Sequence, residues 1–257
     1  MIDKVIHYCW FGGNQKSDLI NRCIESWKKY CPDYQIIEWN ESNFDVNMFD
    51  YTRQAYKEKK YAFVSDVARL YVVYNYGGIY MDMDVEVLKS FDPFLKLKTM
   101  ICFENSKQGL EMATFGVEKG AAWVKECLKY YENRSFIKAD GMLDTITLPF
   151  IIQQICLKDS YRLEPVYSIE EALQKETGNA LAILSSDYFS PKTTFRDEKI
   201  VLTSNTVSIH HFKGTWLPWY SKIEKRVSNI LGFESKDFIR AAIYKIQLEV
   251  AKRKIKK

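Results

Sequence analysis

The chain has 257 residues, of which 47% are hydrophobic and 15% aromatic, and its formal net charge is +4. This length and composition suit one sizeable α/β domain, or one domain with a small appendage. Residues 219–257 contain eleven Lys and Arg against four Asp and Glu, so the basic charge belongs to the tail. We therefore predict a main domain over 1–218, a basic helical tail over 219–257, and no nucleic-acid partner.

The cysteines and the apolar runs bear on where the protein works. The six cysteines form no CxxC pair, and several lie in apolar runs, which predicts reduced thiols in the core. No signal-peptide pattern follows Met1, and no apolar run reaches the roughly 20 residues of a membrane span. From these features we expect a cytoplasmic protein.

The first forty residues predict a parallel sheet. Residues 4–13 (KVIHYCWFGG) are typical of a strand closed by glycines, and the apolar spacing over 18–30 indicates a helix. Residues 34–39 predict a second strand, which completes a βαβ unit. Ligands of such sheets bind at the carboxyl ends of strands, where Trp10 is expected to lie.

The remainder of the chain continues the α/β pattern. Residues 56–76 predict one helix or two abutting helices directly ahead of a short apolar run. No internal repeat appears. Further strands are predicted over 100–103, 112–117 and 207–212, and further helices over 121–131 and 147–156.

The most informative stretch is YGGIYMDMDVE, residues 76–86. Its glycines permit a tight turn, and its apolar run predicts a buried strand. On a continuing strand, Asp82 and Asp84 would project from the same face. Two close carboxylates repel each other unless a cation lies between them, so the pair indicates a divalent metal site. The alternative is a surface turn with two solvated acids.

Other polar and aromatic residues are candidates for the same site. Asp66 and Arg69 lie three residues apart and share a helix face, either as part of a site or as a simple ion pair. His210 and His211 must face opposite sides of a regular strand, so one of them at most joins the acids. Trp10 offers an aromatic surface for a nucleobase, or else packs in the core.

Four segments together resemble the DXD-containing sugar-transfer family of retaining glycosyltransferases. They are HYCWFGG (7–13), AFVSDVARL (62–70), YGGIYMDMDVEV (76–87) and HHFKGTW (210–216). That family includes yeast-type α-mannosyltransferases and bacterial capsule-synthesis enzymes, and it is similar to the clostridial glucosylating toxins. The resemblance implies a GT-A fold, which is a Rossmann-like mixed α/β sheet flanked by helices, here followed by the C-terminal helical tail. It also implies a nucleotide-sugar donor and a divalent cation, Mn²⁺ or Mg²⁺.

The resemblance also assigns roles by position. It implies a metal site of Asp82, Asp84 and His211, and catalytic roles near the donor sugar for Asp66 and Arg69. We add Asp144, in GMLDTITLP, as a catalytic candidate on the acceptor side. The residues expected to bind the nucleotide-sugar are Trp10, Phe11, Gly12, Asp66, Arg69, Tyr80, Asp82, Thr215 and Trp216.

The function implied is retaining transfer of a sugar, from a UDP-sugar in our interpretation, to a glycan or lipid-linked acceptor in capsular or surface polysaccharide synthesis of a bacterium. The main alternative is a Mg²⁺-dependent phosphohydrolase of the haloacid dehalogenase type, because MDMDV fits its DxDx(T/V) pattern. No downstream GDxxxD motif supports that alternative. A non-catalytic binding module is the third possibility.

The tail carries an apolar stripe at helical spacing and a cluster of lysines and arginine at its end. Such a helix could contact the anionic inner face of a membrane near a lipid-linked acceptor. It could equally pack its apolar face on the domain and leave its basic end in solvent. The stripe consists of Ile239, Ala242, Ile243, Ile246 and Val250.

Overall fold

A computed structural model describes residues 1–104, 109–191 and 200–213. Three predictions lie outside these residues: the division at residue 218, the helical tail with its membrane contact, and the roles of Thr215 and Trp216. Within the described ranges, no helix is long and apolar enough to cross a membrane.

A five-stranded mixed sheet forms the centre of the protein, with strand order β2-β1-β3-β8-β5. Strand β1 (Val5–Cys9) pairs in parallel with β2 (Gln35–Trp39) and with β3 (Gly78–Met81). Strand β8 (Thr114–Val117) runs antiparallel to β3 and to β5 (Thr99–Met100). The residues of β3 and β8 are all buried, as expected for central strands covered on both faces.

Two apolar cores lie against the sheet, one on each face. Because side chains alternate along a strand, Tyr80 of β3 joins one core, and Ile79 and Met81 join the other. The first core includes residues of α2 (Asp50–Lys57), α3 (Tyr61–Tyr76) and α4 (Ala122–Glu132). The second includes Ile20 and Trp27 of α1 (Asp18–Tyr30).

Three two-stranded sheets complete the fold. Strand β4 (Val85–Val87) pairs antiparallel with β11 (Ser208–His210), which brings two segments far apart in sequence together. The other pairs are β6 (Phe103–Glu104) with β7 (Gly109–Leu110), and β9 (Arg162–Val166) with β10 (Ala180–Leu184). The chain ahead of β9 contains a short helix α5 (Leu148–Ile151) and a π-helical segment (Ile152–Cys156). Helix α6 (Ile169–Lys175) connects β9 to β10.

The predicted α/β class is confirmed: the protein has a mixed sheet flanked by helices, an arrangement consistent with a GT-A-like fold. The predicted bounds of α1 agree with the structure, whereas the strand predicted over 100–103 is divided between β5 and β6. The six cysteines are free thiols, and five of them are buried.

Candidate metal and donor site

The two acids of the DXD sequence lie on a turn between β3 and β4. Strand β3 ends at Met81, and the amide of Val85 donates a 3.0 Å hydrogen bond to the carbonyl of Asp82, which closes the turn. Our expectation of a continuing strand was therefore wrong. The turn nevertheless brings Asp82 and Asp84 together, because it folds the chain around the carboxyl end of β3.

The histidine that joins these acids is His210. One ligand atom from each of Asp82, Asp84 and His210 lies within 4.8 Å of the others, and Nε2 of His210 is 3.6 Å from Oδ1 of Asp84. The predicted orientation of the two histidines was wrong, because His211 follows the end of β11 and its Nε2 lies 2.9 Å from Oε2 of Glu86.

Strand pairing explains this choice of histidine. His210 lies opposite Val85 in the β4–β11 ladder, immediately beside the acid turn. The backbone of His211 continues the contact, since its amide donates a 2.9 Å hydrogen bond to the carbonyl of Asp84. The amide of Lys213 then donates to Oδ2 of Asp84 at 2.7 Å.

The donor set fits a divalent cation. Opposite ligands of an ion such as Mg²⁺ lie about 4 Å apart, which is compatible with atoms that all fall within 4.8 Å. Two carboxylates and one imidazole suit Mn²⁺ better than Mg²⁺, which prefers oxygen ligands.

The surrounding carboxylates favour the protonated form of His210. Burial lowers the pKa of His210, but the negative charges of Glu111 and then of Asp84 and Asp82 outweigh the effect of burial and raise that pKa to about 9. A bound cation would take the place of the imidazolium proton between the acids.

Arg69 connects the DXD turn to helix α3. Its guanidinium lies 3.1 Å from Oδ1 of Asp66 and 3.3 Å from either carboxylate oxygen of Asp82, and it donates a 2.8 Å hydrogen bond to the carbonyl of Met112. It also lies 4.7 Å above the ring of Tyr80. The side chain is only 8% exposed. The structure thus places Arg69 as a buried bridge that orients Asp82.

Tyr80 and Asp66 complete this buried layer. The hydroxyl of Tyr80 donates a 2.9 Å hydrogen bond to Oδ1 of Asp82, and the residue is buried beneath it. Burial raises the pKa of Asp66 to about 6 against the opposing charge of Arg69, and burial likewise raises the pKa of Asp82. Of the three side chains behind Asp82, Asp66 is the most exposed, at 15%, so it is more able to contact a ligand than Arg69 or Tyr80.

The loop after β1 contains three further residues that were predicted to bind the donor. Trp10 is partly exposed, and its indole N–H donates a 2.8 Å hydrogen bond to the carbonyl of Asn14. Phe11 is buried against Phe44, with ring centroids 5.8 Å apart. Gly12 has φ +87°, and a Cβ there would overlap the ring of Tyr61. Trp10 keeps part of its surface exposed while Nζ of Lys16 lies 5.8 Å from its ring centroid, whereas Phe11 and Gly12 shape the loop.

Asp144 lies in a different set of contacts. Its side chain is 2% exposed, and Oδ2 accepts a 2.6 Å hydrogen bond from Nε of Arg134. The hydroxyl of Tyr51 donates to the Asp144 carbonyl at 3.2 Å. Burial, and then the charges of Asp66 and Asp144, raise the pKa of the Tyr51 phenol, so Tyr51 lies near both acids. These contacts hold Asp144 and its loop against Arg134 and Tyr51. Its catalytic role stays a prediction.

The sequence analysis missed the segment Glu111–Ala113. The carboxylate of Glu111 contacts His210, the carbonyl of Met112 accepts from Arg69, and the carbonyl of Ala113 accepts from the amide of Asp82 at 2.8 Å. One available signal was the single acid within the apolar run GLEMATFGV. A buried acid in such a run requires a partner, which here is a histidine 99 residues away in the chain.

Fold and site together define an α/β protein with a candidate cation site at the carboxyl end of a central strand. Residues 17–101 match a family described as "Glycosyltransferase sugar-binding region containing DXD motif". Residues 17–101 are therefore similar to the DXD-containing sugar-binding region of that glycosyltransferase family, which confirms the resemblance drawn from the sequence. The match favours a transferase over the phosphohydrolase alternative.

Two curated relatives come from Schizosaccharomyces pombe. Inositol phosphoceramide mannosyltransferase 1 is 31% identical over 181 residues, which cover 64% of this chain and 53% of the relative. Inositol phosphoceramide mannosyltransferase 3 is 27% identical over 139 residues, which cover 50% of this chain and 36% of the relative. The aligned regions thus span from about a third to about half of the length of these relatives.

Two solved structures with detectable similarity are described as glycosyltransferases. The PaToxG glycosyltransferase aligns with a TM-score of 0.45 and 22% identity over 62% of this chain and 72% of its own. A glycosyltransferase involved in glycosylation of the major capsid of PBCV-1 aligns with a TM-score of 0.44 and 9% identity over 81% of this chain and 94% of its own.

Proposed function

We propose that this protein is a metal-dependent glycosyltransferase that moves a sugar from a nucleotide-sugar to a hydroxyl-bearing acceptor. The observation that carries the proposal is the convergence of Asp82, Asp84 and His210 at the carboxyl end of β3, where the two acids lie in the segment 17–101 that matches the DXD-containing family. These three residues would hold the divalent ion. When bound, that ion neutralises the negative charge on a leaving diphosphate.

The protein's own residues would prepare the site for the donor. Arg69 and the hydroxyl of Tyr80 hold Asp82 in one orientation, so its carboxylate requires little rearrangement when a ligand arrives. Asp66 is partly exposed next to Arg69 and could accept a hydrogen bond from a sugar hydroxyl. Partly exposed Trp10 could stack on the base.

The substrates are proposed at a coarser level. We retain a UDP-sugar as the first donor to test, with retention of anomeric configuration. Because the curated relatives are named mannosyltransferases, mannosyl donors belong in the same test. The names of these relatives also include a lipid, inositol phosphoceramide, so we propose a lipid-linked acceptor beside a glycan acceptor. A role in bacterial surface polysaccharide synthesis is a proposal from the sequence resemblance alone.

The test is a panel of UDP- and GDP-sugars incubated with the full chain and Mn²⁺, Mg²⁺ or EDTA, with nucleoside diphosphate release as the readout. We expect slow, metal-dependent hydrolysis of one donor class, and its loss in Asp84→Asn. Asp92→Asn is a matched control, since Asp92 is an acid of the same domain that pairs with Lys4 at 3.0 Å. Release of phosphate from sugar phosphates with no donor hydrolysis would instead support the phosphohydrolase.

A further inference from the structure

A buried carboxylate lies behind the proposed metal ligands. Glu111 is 2% exposed and stands between the apolar residues Leu110 and Met112. It is absent from the group of three proposed ligands, and the donor contacts proposed above do not use it. A buried carboxylate is costly unless its oxygens are hydrogen-bonded, so its partners indicate its purpose.

A backbone amide and an imidazole contact the carboxylate of Glu111. Its Oε1 accepts a 2.8 Å hydrogen bond from the amide of Ala113 and lies 3.2 Å from Nδ1 of His210, while Oε2 lies 3.3 Å from the same nitrogen. The backbone amide therefore fixes the carboxylate, and the carboxylate faces one nitrogen of the imidazole. Nδ1 can only donate to this acceptor, because a carboxylate offers no proton.

This geometry selects the nitrogen that faces the acids. When Nδ1 carries its proton toward Glu111, a neutral His210 has its lone pair on Nε2, and Nε2 is the atom that lies 3.6 Å from Oδ1 of Asp84. Phe212 also holds the imidazole, since its ring stacks on that of His210 with centroids 3.8 Å apart. Phe212 adopts φ +50°, a conformation that bulky residues rarely take.

We infer that Glu111 is a positioning residue that acts through His210, fixing the imidazole so that Nε2 is presented to a divalent cation shared with Asp82 and Asp84. The inference rests on the proposed function, whose metal site it deepens. Ligating histidines commonly donate their second N–H to a carboxylate, and loss of such a partner typically weakens metal binding 10- to 100-fold. The chain supplies this partner from the segment that also contacts Arg69 and Asp82.

The test measures Mn²⁺ binding directly, by titrating the full chain with MnCl₂ and following the free ion by electron paramagnetic resonance. We compare wild type, Glu111→Gln, Glu111→Ala, His210→Ala and the double variant Glu111→Gln/His210→Ala. We expect affinity to fall about 10-fold in Glu111→Gln and about 100-fold in Glu111→Ala. Glu111→Gln should cause no further loss when His210 is already alanine, because its effect passes through the imidazole.

Glu176→Gln is the matched control. Its carboxylate also caps backbone amides, those of Lys98 and Thr99 at 2.9 and 3.0 Å, but contacts no histidine among the described residues. That variant should bind Mn²⁺ as wild type does. Unchanged affinity in both Glu111 variants, or an equal loss in the His210→Ala background, would overturn the inference.

One further variant separates this inference from the proposed metal site. If Asp84→Asn and His210→Ala weaken binding while the Glu111 variants do not, the metal site stands and the inference is wrong. If Asp84→Asn and His210→Ala both bind Mn²⁺ like wild type, the metal site itself is refuted, and the positioning role with it. Glu111→Gln preserves the side-chain volume, so it provides the answer if Glu111→Ala does not fold.

Discussion

The indole N–H of Trp39 donates a 3.0 Å hydrogen bond to Nδ1 of His7, and Nε2 of His7 lies 2.9 Å from the carbonyl of Gly77. His7 must therefore be the neutral tautomer with its proton on Nε2, because Nδ1 already accepts from the indole. The imidazole is fully buried at the centre of the sheet. A second proton on Nδ1 would have to face the indole N–H, so the fold opposes protonation of this histidine.

This arrangement predicts a loss of stability in mild acid. Burial lowers the pKa of His7 to about 4, against about 6.5 for an unfolded histidine. Its contribution is therefore fully present above pH 6.5 and is lost as the pH falls toward 4, because the unfolded chain binds the additional proton. Between pH 7.5 and pH 5 we expect His7 to reduce the free energy of unfolding by about 2 kcal/mol.

Urea unfolding of wild type and His7→Gln at both pH values provides the measurement. Glutamine can accept from Trp39 and donate to Gly77, yet it does not titrate. The variant should lose about 2 kcal/mol less than wild type on acidification, while all other titrating groups cancel in the comparison. An identical pH dependence in the two proteins would show that His7 is not held neutral.

Gly78, which lies ahead of the DXD turn, is more closely surrounded by other atoms than Gly120 is. Gly78 has φ +90°, and a Cβ there would lie 2.7 Å from the backbone carbonyl of Val5 in the neighbouring strand. Gly120 has φ +80°, but a Cβ there would meet nothing within 4 Å. Gly120→Ala should therefore cost only the left-handed backbone strain, about 1 kcal/mol.

Gly78→Ala should cost more than about 2 kcal/mol, because a strand must move as well. Chemical denaturation of both variants checks the difference. Equal losses would mean that the β1–β3 pairing yields readily to the added methyl group, and that Gly78 serves only a conformational purpose.

The sequence predicted those parts of the protein that depend on local pattern. Helix α1 follows from an apolar face at helical spacing, and the parallel pairing of β1 with β2 follows from a βαβ unit. The acids were located because glycine, an apolar run and two aspartates are consecutive. The proximity of Asp66, Arg69 and Asp82 follows from helix α3 leading directly into β3.

The errors concern relationships that only the tertiary fold determines. The orientation of His210 depends on where β11 ends and on its register with β4, which the run VSIHHF does not reveal. Glu111 could not be linked to His210 because the two residues lie 99 positions apart. The chain forms a turn at Asp82, where a continuing strand was expected, because the amide of Val85 donates a hydrogen bond to the carbonyl of Asp82.

The contacts of Asp82 and Asp84 predict different effects on stability. If repulsion between the two carboxylates were the main effect, removal of either acid would stabilise the protein without metal. In the structure, Asp82→Ala takes from the buried guanidinium of Arg69 one of its two carboxylate partners and leaves the Tyr80 hydroxyl without its acceptor. We expect a loss of about 1–3 kcal/mol, at the low end of values for broken buried pairs because Asp66 remains and Asp82 is 29% exposed.

Within the described ranges, the contacts that Asp84→Ala removes are the acceptor of the Lys213 amide and a 3.6 Å approach to His210, so we expect a change below about 1 kcal/mol. Thermal unfolding in EDTA compares the two variants without metal. A greater loss in Asp84→Ala than in Asp82→Ala would contradict the role of Arg69 as a bridge.

The two adjacent histidines provide a matched pair for the metal site. His210 faces Asp84 and Glu111, whereas His211 faces Glu86 on the other side of the acid turn. His210→Ala removes a ligand and leaves Glu111 buried without its cationic partner, so Mn²⁺ affinity and donor hydrolysis should both fall by at least 10-fold. His211→Ala removes a side chain whose Nε2 lies 2.9 Å from Oε2 of Glu86, and Glu86 is 42% exposed, so both quantities should stay within about 3-fold of wild type. Mn²⁺ titration of the two variants, with circular dichroism to confirm folding, distinguishes them.

The opposite result would be loss of Mn²⁺ binding in His211→Ala and its retention in His210→Ala. It would restore His211 as the metal ligand, as the sequence resemblance implies, and refute the orientation of His210 toward Asp84.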